Sequence, residues 1–458
     1  MALILGSLIV AATIYAVARR VEVRLVLILA ALALALAAGA DKALHGEGWA
    51  ALGEQPMRIV RAFVSTFSNE KFVVPICSAM GFAFVLRETG CDQHLVRLLT
   101  RPFERVRPLL VPGTVVVGFL VNVPLVSQTS TTVAVGTVLV PLLRASRLSA
   151  VTIAAALVLG SSIGGELLNP AAPELRSVAE GLKAKHPDAS SRDCVAHVNT
   201  LVWWHLLVAT LLFWLLTWWA ERGRPAPEAE AEVPAFRVNI LKALIPFVPL
   251  VILFLTSPAL HVLEVPVSWL ADPAKKAEVD AFDSRLIGAA MLMGVLAAAL
   301  SAPKTFRNTA ASFFEGAGYG FANIIGLIVA ATCFGEGISL IGLNTLVGRF
   351  IAENPRLLIP LAAILPLGFG ALSGSGMAAT QSLFRFFVEP IDAAGANPFH
   401  VGAVVSLGAA AGRTISPVSA VNLMAARMTG SDSLAISRRV AVPALAGLAL
   451  VIALAMLK

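Results

Sequence analysis

Two polar clusters interrupt otherwise apolar sequence at matched places. The first reads Ser127-Gln128-Thr129-Ser130-Thr131-Thr132, the second Ser373-Gly374-Ser375-Gly376-Met377-Ala378-Ala379-Thr380. Ser375 follows Ser127 by 248 residues. The same interval relates Thr380 to Thr132, Glu336 to Glu88, Pro360 to Pro112, Gly408 to Gly160 and Gly412 to Gly164. Carbonyls and Ser/Thr oxygens gathered at one point suit a small hard cation such as sodium. Free N–H groups at helix N-termini suit a carboxylate. Hydrophobic halves interrupted at corresponding positions point to the binding site of a carrier.

A second pair of interruptions follows each cluster. One is Gly160-Ser161-Ser162-Ile163-Gly164-Gly165-Glu166-Leu167-Leu168-Asn169-Pro170, the other Gly408-Ala409-Ala410-Ala411-Gly412-Arg413-Thr414-Ile415-Ser416-Pro417. Proline removes a helical hydrogen bond and glycine weakens a helix, so each stretch is expected to unwind between two half-helices; a kinked continuous helix is the alternative. Ser127, Gln128, Thr129, Ser130 and Asn169 are the expected substrate-side groups of one half-site. Ser373, Ser375, Arg413, Thr414 and Ser416 are those of the other. Thr132, Ser161, Ser162, Glu166 and Thr380 are the candidates for ion coupling. The competing reading is helix–helix packing, because small residues also line membrane interfaces.

Arg413 and Glu166 are the sharpest individual candidates. Each lies about 15–17 residues into its segment, roughly 20–25 Å along a helix. An ionisable group at such depth is a functional hypothesis by default. Arg413 could hold a carboxylate through two parallel hydrogen bonds. Glu166 could bind a cation, carry a proton or pair with an arginine. Structural pairing is the alternative for both residues.

These residues need a membrane scaffold to hold them. The chain has 458 residues, of which 57% are hydrophobic and 14% charged, against about 25% charged in soluble domains. Apolar runs near the ~20 residues that cross a bilayer recur along it. Spans are expected at 2–17, 25–40, 71–87, 148–182, 199–220, 239–258, 284–301, 315–341, 398–429 and 438–457. The stretches 108–144 and 356–391 have short arms around the polar clusters and read as re-entrant hairpins, with paired full spans as the alternative. Such backbone survives in the bilayer only when protein or a water-filled cavity surrounds it. The fold class is therefore an all-α polytopic membrane protein. Residues 1–220 form a first repeat, 221–237 a polar cytoplasmic linker and 238–458 a second repeat.

Five crossings in the first half make the second enter with opposite orientation, so the repeats are inverted. Arg19, Arg20, Arg24, Arg97, Arg101, Arg105, Arg107, Arg144, Arg147, Arg222 and Arg224 then fall on the inner side. Asp272, Glu278, Asp280 and Asp283 fall outside, the positive-inside pattern. Both termini are expected in the periplasm, with the first hairpin opening to the cytoplasm and the second outward. The basic net charge of +7 is accounted for by these loops and does not argue for nucleic acid. Four cysteines and seven histidines form no metal-ligand spacing, and no phosphate-binding G-x-x-x-x-G-K-[ST] motif occurs. No cofactor is expected, and an intramembrane enzyme lacks any motif here. The apolar run 2–17 has no basic segment before it and reads as a span, not a cleaved signal.

The stretches FVVPICSAMGFAFVLRETGCDQHLVRLL, VNVPLVSQTSTT and GSSIGGELLNPAAPEL resemble the DcuC family of anaerobic C4-dicarboxylate carriers. Paired hairpins and paired broken helices are similar to the wider ion transporter superfamily, which includes the divalent anion:sodium symporters. Those symporters carry Ser-Asn-Thr at both tips. Here the first tip has Gln128 in place of Asn, and the second has no amide. The resemblance implies an inner-membrane secondary transporter of succinate, fumarate or malate working by exchange, uptake or efflux. It also implies Na+ or H+ as the coupling ion, a site shaped by tips and breaks, and a homodimer in the lipid bilayer. Carriers of other organic anions or amino acids belong to the same group. A passive anion channel is the reading from another class.

Overall fold

Long apolar runs with few charges leave the backbone no partner but itself, so they become helices. The computed structural model describes residues 2–457 except 20, 105, 107–108, 147, 184, 223–236 and 257–261. Among them all regular structure is helical. The linker expected at 221–237 lies outside the described residues apart from 221, 222 and 237. So do Arg20, Arg105, Arg107, Arg147 and Arg224 of the inner-side arginines.

Eight of the ten expected spans are helices long and apolar enough to cross a bilayer. They are Val23–Gly46, Glu70–Thr89, Ala150–Leu182, Ser191–Ala220, Phe282–Ser301, Phe306–Leu340, Pro398–Thr429 and Ser433–Met456; Ala150–Leu182 and Pro398–Thr429 are broken. The other two, Ala2–Val17 and Ile240–Leu255, are shorter apolar helices. A further helix, Ala51–Phe67, lies between expected spans. Glu54, Arg58 and Arg61 break its apolar run, which hides it from a hydropathy reading.

Both polar clusters are turns between helices. Leu110–Leu125 enters the first and Gln128–Ala145 leaves it; Leu358–Ser373 enters the second and Gly376–Leu383 leaves it. Both turns line one interior cavity. The second entering arm is longer than expected, since among the described residues Pro355–Ser373 is a ninth helix long and apolar enough to cross a bilayer. Full spans of an inverted pair would nevertheless put the two turns on opposite membrane faces, and because they line one cavity they read as re-entrant tips. Both later interruptions are real breaks. Ala150–Ser162 gives way to a 3-10 turn, Gly165–Leu168, before Pro173–Leu182, and Pro398–Ile415 ends before Ala420–Thr429. Their membrane-length windows are 94% and 83% buried, against 39% for Ser433–Met456. The unwound backbone is thus wrapped in protein, as the bilayer demands.

Packing repeats with the halves exchanged. Glu70–Thr89 packs against Phe282–Ser301 and Thr309–Gly320, while Gly326–Leu340 packs against Val23–Lys42 and Ala51–Phe67. Each entering arm lies on the first half of its broken helix. A Cβ on Gly160 would stand 2.7 Å from the carbonyl oxygen of Val115, and one on Gly408 would stand 2.3 Å from that of Ala363. Val115 and Ala363 are themselves 248 residues apart. The matched glycines are therefore where two backbones touch in each half.

Candidate functional site

Helix starts are set by residues that cap them, and here four helices start at one place. Ser127, Ser375 and Ser419 are extended N-cap residues whose side chains accept from the amides of Ser130, Ala378 and Asn422. Pro173 opens the fourth helix with its φ already set for the first turn. A cavity of about 270 Å³ is lined by Ser127, Gln128 and Thr129, by Pro173 and Glu174, by Ser375, Gly376 and Met377, and by Ser419, Ala420 and Val421. The first amides of a helix have no carbonyl behind them, and each N-terminus carries roughly half a positive charge. Four such ends make the cavity attractive to a small anion. Its far wall includes Tyr319, Asn323 and Ile324. The last two lie in a π-helical turn, Phe321–Ile325, that interrupts a long helix; such bulges are frequent at functional sites.

Arg413 reaches the cavity wall, yet most of its donors are already engaged. Nε donates to Ser162 Oγ at 3.1 Å, Nη2 to the Ser162 carbonyl at 2.8 Å and to Glu166, and Nη1 to Glu174 Oε1 at 3.0 Å. Of five N–H groups, one Nη1 hydrogen is left. Gly376 lies against that edge: a Cβ there would sit 3.0 Å from Nη1. The expected bidentate clamp on substrate is thus corrected. The low-dielectric interior brings the guanidinium two carboxylate partners from the other half, and they occupy it.

The other expected residues divide by distance from the cavity. Ser127, Gln128, Thr129 and Ser375 line it. Ser130 accepts from Ser127 Oγ at 3.0 Å beside the tip. Ser373 braces the second turn by accepting the Ser375 amide at 3.2 Å. Ser162 and Thr414 bind one another across the halves, with Thr414 Oγ1 donating to the Ser162 carbonyl at 2.9 Å. Ser416 holds the break through its carbonyl, which accepts from Asn422 Nδ2 at 3.1 Å. Asn169 does not face the cavity, because its amide donates to the Val123 carbonyl at 3.0 Å and its oxygen accepts the Ala171 amide. Thr132 and Thr380 return their hydroxyls to Gln128 and Gly376, one turn back in their own helices. Neither reaches the cavity, a common outcome for a helical threonine. Ser161 Oγ is buried without a hydrogen-bond partner among the described residues.

Two residues absent from the expected set complete the cluster. Glu174 is 2% exposed and joins Arg413 to the cavity wall. Asn122 is fully buried; its Nδ2 donates to Glu166, and its Oδ1 accepts from Thr131 at 3.2 Å. Their signals were present, since Glu174 is the second acid of GELLNPAAPEL and Asn122 is the lone amide in VNVPL. Only the fold brings both to Arg413. A second cavity of about 630 Å³ lies further along Pro173–Leu182, Gly326–Leu340 and Gly376–Leu383, three helices that also line the first. Glu180, Thr332, Glu336, Gln381 and Arg385 line it, with Arg58 and Arg61 from Ala51–Phe67. Arg58 Nη2 pairs with Glu336 at 2.7 Å.

Two solved structures share this architecture. The fold aligns with MtrF of Neisseria gonorrhoeae, described within a class of antimetabolite efflux pumps, at TM-score 0.62 over 96% of both chains with 14% identity. It aligns with the YdaH transporter of Alcanivorax borkumensis, described as having an unusual topology, at TM-score 0.55 over 88% of both chains with 17% identity. In sequence, an uncharacterized transporter of Haemophilus influenzae is 33% identical over 135 residues, 30% of this chain and 83% of that protein. The anaerobic C4-dicarboxylate transporter DcuC of Escherichia coli K12 is 31% identical over 143 residues, 30% of this chain and 31% of that protein. Residues 2–458 match the family described as DcuC, C4-dicarboxylate anaerobic carrier. With hairpins, broken helices and a whole-length match in agreement, this multi-pass membrane transporter belongs to the DcuC family.

Proposed function

We propose that this transporter moves a C4-dicarboxylate such as succinate, fumarate or malate, by alternating access around the cavity between the two tips. The observation that carries this reading is the convergence of four helix N-termini on that one cavity. Its volume of about 270 Å³ is just below the ~300 Å³ lower end of ligand sites, which suits a small anion. Backbone amides at the starts of Gln128–Ala145, Gly376–Leu383 and Ala420–Thr429 would hold the carboxylates, helped by the remaining Nη1 hydrogen of Arg413. The arginine-lined cavity beyond would gather anions from one side. Transport is coupled to Na+ or H+. The family and the E. coli relative's name support the substrate class.

Proteoliposomes given labelled succinate, fumarate, malate and unrelated anions test this, with Na+ and H+ gradients imposed separately. Concentrative uptake of the dicarboxylates, accelerated by internal substrate, is the expected result. Uptake that never exceeds equilibration and shows no such acceleration would mean a channel. Preference for a monovalent anion or an amino acid would move the chain to another substrate class.

The proposed orientation puts both termini in the periplasm of the bacterial inner membrane and the linker in the cytoplasm. The arginine distribution supports it. In a background without native cysteines, a cysteine at Arg144 should label from the cytoplasm and one at Asp392 from the periplasm. Labelling of both from one side contradicts inverted halves.

A further inference from the structure

The cluster behind the cavity has more negative charge than positive. Glu166 and Glu174 face one guanidinium, and all three residues are buried. Glu166 has both oxygens engaged, one by Arg413 and one by Asn122. Glu174 Oε1 accepts from Arg413, but its Oε2 is buried without a hydrogen-bond partner among the described residues. That residue lines the cavity.

Among the described residues no other charged group compensates it. Arg176, two residues on, turns to Asp283, Ser284 and the Lys71 carbonyl. Gly376–Leu383, packed on the same helix, contains no titratable side chain. From Ser191–Ala220, Asp193 caps its own helix, Arg192 pairs with Asp283, and His205 faces the Ala444 carbonyl. From Glu70–Thr89, Glu70 pairs with Arg285. Arg385 lines the other cavity with Glu336. Tyr319 is the one titratable group on the far wall of the anion cavity.

An ionised carboxylate facing an anion's cavity repels the ligand, and a buried charge without a partner is costly. A proton removes both problems. It neutralises the excess charge at the cavity wall and gives the buried Oε2 the uncharged form that a site without a partner favours. A sodium ion would instead place a second full cation beside a guanidinium 3.0 Å from the same carboxylate.

We propose that Glu174 carries the exchangeable proton of this transporter: protonation removes the negative charge from the cavity wall as the anion binds, and losing the proton restores the repulsion and releases it. The assignment rests on the anion-carrier reading above. Only an O–H bond forms and breaks, and the proton comes from and returns to solvent.

The test uses purified carrier in weakly buffered detergent with a pH indicator, and fumarate as probe. Both fumarate carboxyls are ionised at neutral pH, so any proton taken up goes to the protein. Wild type should take up about one proton per fumarate bound and bind more weakly as pH rises. Glu174→Gln imitates the protonated form. It should bind fumarate within about threefold of wild type at low pH, take up no proton and lose its pH dependence. In proteoliposomes it should keep fumarate–fumarate exchange and lose accumulation driven by a pH gradient. The infrared difference spectrum of wild type should gain a protonated-carboxyl band on adding fumarate, a readout that needs no variant to fold. Fumarate binding without proton uptake or that band, binding that requires Na+ at fixed pH, or undiminished proton uptake by Glu174→Gln each overturn the assignment. Failure of wild type to bind fumarate at all overturns the anion-carrier reading, and the assignment with it.

Discussion

At the two hairpin tips the backbone angles nearly coincide while the side chains around them differ. Val126 and Gly374 both take left-handed conformations, at φ 53° and 73°, and Ser127 and Ser375 follow at φ −126°, ψ 109° and φ −129°, ψ 113°. Yet at the same 248-residue interval Asn122 faces Gly370, Glu166 faces Thr414 and Glu174 faces Asn422. The first half supplies both acids and the second supplies Arg413, at a position matched by Gly165. Duplication thus repeats the geometry that gathers helix ends. Divergence then places opposite charges in the two copies, where they meet as one cluster. A site of this kind belongs to neither half, and any motion of one half against the other must act on it.

The largest way to break the comparison is to remove the cation. Arg413→Ala leaves the first half's two carboxylates buried without their counter-ion, which should cost about 3–5 kcal/mol and lower the unfolding temperature sharply in detergent. Adding Glu166→Gln and Glu174→Gln should restore much of that loss. Wild-type stability of the single variant would mean the pairing between halves is unimportant.

Next come the matched glycines. A Cβ on Gly412 would sit 2.2 Å from the Leu367 carbonyl and one on Gly408 2.3 Å from Ala363, against 2.7 Å for Gly160 and Val115. Alanine at any of the three should cost about 1–3 kcal/mol, more in the second half, as thermal unfolding would register. Equal or negligible losses would show that the halves pack less differently than these distances indicate.

The tips themselves should respond with opposite signs. Val126 is the one non-glycine residue at positive φ among those described. Val126→Gly relieves a left-handed cost of ~1–2 kcal/mol, in part offset by the chain freedom glycine adds. Gly374→Ala should destabilise, since its Cβ would also press within 3.0 Å of Ser419. Ser127→Ala and Ser375→Ala should each lose a cap of about 1 kcal/mol. If a tip serine hydroxyl also contacts ligand, the ion or substrate concentration for half-maximal transport rises too, and whichever rises more identifies what the tip holds.

The smallest effect lies where the halves differ in length. Residues 19–22 join the first two helices of one half, whereas 256–281 join those of the other. In that longer connection Glu278 accepts the Asp272 amide and pairs with Arg285 and Lys275, which holds its carboxyl down at about 2. A depressed carboxyl stabilises the loop above its unfolded value near 4.5 and loses that contribution as pH falls toward 2. Limited proteolysis by pepsin across this range should show the loop opening, and Glu278→Gln should make cleavage less dependent on pH. An unchanged profile would place loop stability elsewhere.

Much of this was legible in the sequence because it depends on neighbours along the chain. Apolar runs specify helices, and serine before an apolar segment specifies a cap. Glycine and proline among polar residues specify a break, and a constant interval reveals a duplication. Ala51–Phe67 was not legible, because its charged residues lower its hydropathy although neighbouring helices cover part of it. Thr132 and Thr380 were legible as polar but not as self-bonded, since that depends on the rotamer each takes in its helix.

By itself, then, the sequence determined the strongly apolar helices, the interruptions and the pairing of the halves, all of which follow from local composition and spacing. The tertiary structure decided what those interruptions face. Arg413 meets Glu166 and Glu174 across 247 and 239 residues of chain, and four helix ends meet at one cavity. No periodicity encodes such meetings. They arise because buried charges must find partners and interrupted backbone must be enclosed by protein, and only the packed fold settles which groups can satisfy both.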